Sequence, residues 1–130
     1  MPIEAINPPT AKSTYERFHF SQAVCAGDLV ICSGQIGLAD NGRPPAEIED
    51  EFHTAWRAVG QVLDAAGLGY ADIVEYTTFH VGLQAHMATF MKVRDQYVTE
   101  PWPAWTAIGI TELAVPGAHV EIRVIAQRHQ

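Results

Sequence analysis

The chain has 130 residues, 48% of them hydrophobic and 18% charged, which is the composition of one packed domain rather than a disordered or fibrous chain. Eight basic residues against 15 acidic ones leave a formal charge of -7, which gives little for a nucleic-acid backbone to bind. No apolar run reaches the roughly 18–20 residues of a membrane helix. The Pro-rich N-terminus has neither a basic nor an apolar leader region, so a cytoplasmic protein is expected.

Residues 1–17 lack periodicity and read as an N-terminal arm on a single domain spanning 1–130. Phe18 to Cys25 and Leu29 to Ser33 are β-type segments, and Gly27-Asp28 offers the short turn of a hairpin that would set Cys25 opposite Val30. That register disfavours a disulfide between Cys25 and Cys32. Gly34 to Arg43 reads as a loop. From Glu49 to Ala66, the apolar residues Phe52, Ala55, Trp56, Val59, Val62, Leu63 and Ala66 mark one helical face, closed by Gly67 as cap.

Ile73 to Val81 is rich in β-branched and aromatic residues, as in a strand. A second helix is expected from about His86 to Val98, with Met87, Phe90, Met91, Arg94, Tyr97 and Val98 on one side and Pro101 as its stop. Strands Ala104 to Ile110 and His119 to Gln127 follow. In the last, Val120, Ile122, Val124 and Ala126 share one face, and His119, Glu121, Arg123, Ile125 and Gln127 the other. The order ββαβαββ describes an α+β two-layer sandwich, one sheet with two helices on one face. The second face, mixing charge with Ile, is either wet or closed by another copy of the chain; the second is favoured.

Several short runs, taken in order, resemble the Rid (YjgF/UK114) family: Ser21-Gln22-Ala23-Val24, Ala26-Gly27-Asp28-Leu29-Val30, Ser33-Gly34-Gln35-Ile36, Val62-Leu63-Asp64-Ala65-Ala66-Gly67, Asp72-Ile73-Val74, Pro103-Ala104 and Val120-Glu121-Ile122. The resemblance covers about Phe18 to Gln127. It implies a chorismate-mutase-like fold, a homotrimer whose three sheets close a barrel, and a small-molecule cleft at each subunit interface. Well-known members hydrolyse enamines and imines to keto acids and ammonia without metal or cofactor. In them an Arg after Pro-Ala clamps the substrate carboxylate, and a Glu in the last strand positions water.

Here Trp105 stands where that Arg would be, Phe20 where a Tyr is common, and Met91 where many members have Asn. These changes make the cleft more apolar and aromatic, so a free 2-imino acid should bind poorly, and a larger, flatter or less anionic substrate is expected. Glu121 is the candidate catalytic residue, as general base or water-orienting group; the alternative is an ion pair with Arg123 or His119 of another chain.

Trp105 is either a stacking wall of the cleft with an N–H donor or ordinary core. Phe20, Met91, Trp105 and Ala107 are the candidate substrate-binding side chains. Ser33 and Gly34 offer backbone N–H groups to an oxyanion, or simply end a strand. The six His show no metal-ligand spacing and no CxxC is present, so no metal is expected. His19, near Phe20, and His119, on Glu121's face, are the two of interest. Cys32 reads as a small strand hydrophobe. A trimer that binds a metabolite or protein without turnover is the competing reading, and a ribonuclease is disfavoured by charge.

Overall fold

A computed structural model describes residues 3–129. The elements are β1 (Glu4–Ile6), α1 (Lys12–Phe18), β2 (Ala23–Ala26), β3 (Leu29–Cys32), β4 (Gln35–Ile36), α2 (Ile48–Ala65), β5 (Ile73–His80), α3 (Leu83–Arg94), β6 (Ala104–Gly109) and β7 (Val120–Gln127). One mixed sheet runs β1-β2-β3-β7-β5-β6, with β4 pairing the start of β7 beyond the end of β3. Only the β5–β6 pair is parallel among the described strands. Helix α3 is the crossover that this parallel pair requires.

The β2–β3 hairpin has the expected register, with Cys25 opposite Val30 and Ala23 opposite Cys32. Gly27 takes φ 60° in its turn, a conformation that glycine adopts at no steric cost. Both cysteines are free and buried. Helix α2 buries the stripe read from its sequence: Phe52, Ala55, Trp56, Val59, Val62 and Leu63 are all 2% exposed or less. Its chain turns out at Gly67, φ 75°.

Those residues pack against Val120, Ile122, Val124 and Ala126 of β7, which are likewise buried. Trp56 centres the core, stacked on Tyr97 at 11° and edge-on to Tyr76. Burying so much aromatic and aliphatic surface on one side of the sheet is the main stabilising contribution to the fold.

Four expectations are corrected. The N-terminal arm is structured: Glu4 to Ile6 pairs with β2, and residues 12–18 form a helix. Helix α1 buries no residue, so it leaves no apolar stripe for periodicity to detect. It also replaces the expected start of the first strand, because the chain reverses at His19, the one described non-glycine residue with positive φ. The loop after Ser33 contains the short strand β4, bonded to β7 at Ile122 and Glu121.

Finally, α3 begins and ends earlier than expected. Gly82 at φ 77° starts it, and the helix ends at Arg94, after which hydrogen-bonded turns carry the chain to Val98. Its buried residues are Phe90 and Val93.

Candidate functional site

Strand β7 alternates strictly, so Glu121 and Arg123 project from the face opposite the helices. Glu121 lies opposite Phe79 of β5 and Ile36 of β4. Its carboxyl packs on Gly34: a Cβ there would meet the Glu121 carboxyl carbon at 2.6 Å. Gly34 is thus required by close approach, at ordinary φ. Burial raises the Glu121 pKa above the usual carboxylate value. Within the chain it forms no ion pair with Arg123 or His119 among the described residues.

Phe20, Gly34 and Glu121 line one cleft of about 580 Å³, together with Gln35, Leu38 and Val115. Phe20 also lines an adjoining cavity of about 630 Å³ on the open sheet face, with Ser33, Tyr15, His19 and Arg123. His19 therefore does lie beside Phe20.

Ser33 is less available than its sequence suggests. Its backbone N–H donates to the Gln22 carbonyl at 2.8 Å and its hydroxyl to the Ser21 carbonyl at 2.7 Å. Gly34 N–H has no acceptor among the described residues and is the one of the pair open to a ligand. Gln35 is held by Gln22 at 2.7 Å, which fixes the strand end on which Gly34 sits.

Trp105, Ala107 and Met91 lie elsewhere. Trp105 is in register with Tyr76, hence on the helix-covered face, and β6 is an edge strand. The indole stacks on Tyr76 at 10°, with the Arg94 guanidinium 5.0 Å from its ring centre. Its N–H donates to Thr78 Oγ1 at 2.9 Å, so that donor is spent inside the fold. Trp105 walls a separate cavity of about 340 Å³ with Tyr76, Arg94 and the exposed Trp102. Met91 is 37% exposed, and Ala107 is half-buried beyond Trp105 on the same strand face.

One chain therefore separates the candidates: Phe20, Gly34 and Glu121 share one cleft, while Trp105 and Ala107 lie on the opposite face of the sheet and Met91 lies on α3. Because alternation puts Glu121 and Trp105 on opposite faces, no rotamer change unites them within a protomer.

Other groups were not foreseen. Glu51 of α2 is fully buried and accepts from His119 N at 2.6 Å, Val120 N at 3.3 Å and His119 Nδ1 at 2.8 Å. His119 is thereby tied to Glu51, not to Glu121. His80 is 1% exposed, bonded through Nε2 to Thr78 Oγ1 at 2.7 Å, and its Nδ1 has no partner. Burial, aided by nearby His86, lowers its pKa to about 4.

Cys32 is pushed up to about 11 by burial, which makes it an inert thiol. Glu51 and His80 carry no sequence signature, since a helix-turn Glu and a strand His are usually exposed. Among the described residues no group of three or more His, Cys, Asp or Glu is placed to hold a metal ion. No described helix is long and apolar enough to cross a membrane.

A family model described as endoribonuclease L-PSP matches residues 10–128. The RutC family protein YjgH of Escherichia coli (strain K12) is 34% identical over 124 residues, covering 95% of this chain and 93% of that one. The 2-iminobutanoate/2-iminopropanoate deaminase of Bos taurus is 32% identical over 122 residues, covering 90% and 85%. A solved structure of protein YjgH superposes with a TM-score of 0.88 at 32% identity, covering 100% of this chain and 99% of the other.

Proposed function

The chain belongs to the Rid (YjgF/UK114) family, whose model carries the endoribonuclease L-PSP description, and on that membership we propose a homotrimer that hydrolyses an enamine- or imine-like metabolite in a cleft between subunits. The observation that carries this reading is Glu121, a carboxyl with raised pKa, seated on Gly34 beside Phe20 in an open cleft. The second half of the cleft would come from the neighbouring copy's β6 edge and α3, which carry Trp105, Ala107 and Met91. The similarity to a bovine imine deaminase supports the reaction class.

The chemistry balances with water alone. An enamine first tautomerises to the imine. Glu121 accepts a proton from water as its oxygen adds to the imine carbon, and the nitrogen gains that proton. The resulting carbinolamine loses ammonia as C=O forms. A carboxylate whose pKa burial raises is a stronger base than an exposed one, which suits the proton transfer from water. Gly34 N–H would donate to the carbinolamine oxygen or to another substrate oxygen. No metal or cofactor is needed for this step.

The substrate is expected to differ from a small free 2-imino acid, because position 105 offers an indole whose N–H is already bonded to Thr78. The same feature favours the second reading, a metabolite- or protein-binding trimer without turnover. The surplus of acidic residues speaks against the ribonuclease that the family description suggests.

Ammonia release from imines generated in situ by an amino-acid oxidase separates the first two readings. The reaction predicts turnover of bulky imines by the native protein and a loss of at least about a hundredfold in Glu121→Gln, in line with removal of a general base. Silence of the native protein across the panel, with small 2-imino acids turned over only by Trp105→Arg, would leave the scaffold competent but assign the native cleft to binding.

A further inference from the structure

We propose that the rings of Trp105, Tyr76, Trp56 and Tyr97 form a relay that carries a one-electron oxidation from the β6 edge to Tyr97, where His53 takes the phenol proton. The oxidant it serves is a small radical of the peroxyl class. Indole and phenol are the ring side chains most easily oxidised, and electrons pass readily between rings in contact. Ring centres are 5.6 Å apart from Trp105 to Tyr76, 5.5 Å from Tyr76 to Trp56 and 6.0 Å from Trp56 to Tyr97, the first and last pairs nearly parallel. Trp105 is the entry, because it lines the cavity beside the exposed Trp102, whereas Trp56 is fully buried. All these rings belong to one chain, so the column needs no neighbouring copy.

The Tyr97 end of the column differs from the rest by its proton. Tyr97 Oη lies 2.7 Å from His53 Nδ1, a base able to take the phenol proton as the electron leaves. Tyr76 Oη instead accepts from Arg94 at 3.0 Å, and Tyr70 O–H donates to the Trp56 carbonyl at 2.7 Å. Burial raises the pKa of both phenols, so they keep their protons. Trp56 Nε1 is buried without a partner, so an oxidised Trp56 has no acceptor for its proton and passes the charge on. Charge gives the relay its direction. The Arg94 guanidinium sits 5.0 Å from the Trp105 ring centre and bonds Tyr76 Oη, and its positive charge disfavours a second one on either ring. Trp56 is stacked on Tyr97, whose π-electrons favour a cation.

The electrons balance with one reductant. The peroxyl radical takes an electron from Trp105 and leaves as the hydroperoxide anion. Trp105 is refilled from Trp56 across Tyr76, and Trp56 is refilled from Tyr97. Tyr97 gives its O–H proton to His53 and remains as a neutral phenoxyl. Ascorbate, a one-electron reductant, restores the phenol as His53 returns the proton. The indole at the β6 edge is thereby kept intact.

Flash photolysis of full-length Trp102→Cys labelled with a ruthenium polypyridyl complex, with a soluble electron acceptor as quencher, tests the relay. Trp102 is 60% exposed and lines the same cavity as Trp105, so the label sets the oxidant beside the entry. Trp56 and Trp105 are then the chain's remaining indoles, and Cys25 and Cys32 are too buried to compete for the label. The phenoxyl band should grow in as the indole-radical band decays. Tyr97→Phe, which keeps the ring, should lose the phenoxyl. His53→Gln should slow phenoxyl formation by at least about tenfold, as the loss of one hydrogen bond to a charged group predicts. Trp56→Phe should leave the radical on Trp105 and give no phenoxyl.

No phenoxyl in the labelled parent would overturn the relay. So would a phenoxyl yield unaltered in Tyr97→Phe, a rate unaltered in His53→Gln, or a phenoxyl that forms as fast without the Trp56 indole. Should Trp56→Phe fail to fold, Tyr97→Phe and His53→Gln still decide, since they remove one hydroxyl and alter one partly exposed side chain. The readout is independent of Glu121. A protein that releases ammonia but forms no phenoxyl keeps the hydrolytic reading and loses this one, and the converse result does the reverse.

Discussion

Glu121, Trp105 and His80 have their properties set by what lies against them. Glu121 is desolvated by its seat on Gly34; Trp105 is pinned by Tyr76, Arg94 and Thr78; His80 is shut beneath Phe90 at 4.8 Å between ring centres. Thr78 Oγ1 joins the last two, receiving Trp105 N–H and bonding His80 Nε2.

The His80 shift makes a stability prediction. With a folded pKa of about 4 against an ordinary 6.5, the unfolded chain binds the proton first as pH falls. The neutral-imidazole contribution is therefore complete above about pH 6.5 and is lost progressively down to about pH 4. The full shift corresponds to about 3 kcal/mol. Melting temperature measured across that window should fall steeply for the native protein and less for His80→Phe. Parallel curves would show that His80 is not the titrating group.

Among the elements, α2 and β7 were the most legible, because both bury one face completely and their 3.6 and 2 periods appear undiluted in Phe52 to Leu63 and Val120 to Ala126. Helix α3 was legible as a helix but not in its limits. Its first turn, Leu83-Gln84-Ala85-His86, has no side-chain cap before it, and Gly82 starts it through a positive φ that sequence alone does not reveal. Helix α1 and β1 were missed since only Ile6 among their residues is buried.

Of the candidate site, Phe20, Gly34 and Glu121 were found through family resemblance. Arg123 was visible in the strand alternation, on the same face as Glu121. Glu51 was invisible, yet it clamps the first turn of α2 to the start of β7 through three donors. Glu51→Ala should lower stability by about 3 kcal/mol, since it leaves the buried Val120 N–H, the part-buried His119 N–H and the imidazole without their acceptor. The urea midpoint reads this directly; a change under 0.5 kcal/mol, about the scale of a neutral surface substitution, would refute the clamp.

For the whole molecule, the chorismate-mutase-like sandwich covers one sheet face with helices and leaves the other to solvent in a single copy. That open face carries the partly exposed Val24, Ile31, Phe79 and Ile125 and the exposed Ile108 along with Glu121 and Arg123, a mixture of apolar and charged groups. The unpaired edge of β6 adds hydrogen-bonding groups that another chain can take. Both features support trimer assembly. In the proposed trimer, the Glu121 cleft of one copy would be completed by the β6 edge and α3 of its neighbour.

Subunit mixing tests that central claim. Glu121→Gln and Met91→Glu are each impaired in a different half of the cleft, and Met91 is exposed enough to take the charge without unfolding the chain. The two variants are unfolded, mixed in equal amounts and refolded together. If the cleft is shared between copies, random assembly pairs an intact Glu121 half with an intact Met91 half at roughly one site in four, and about that fraction of native ammonia release should return. Activity no higher than that of the two variants assayed apart would mean that both halves serve the same chain, and would contradict the inter-subunit site.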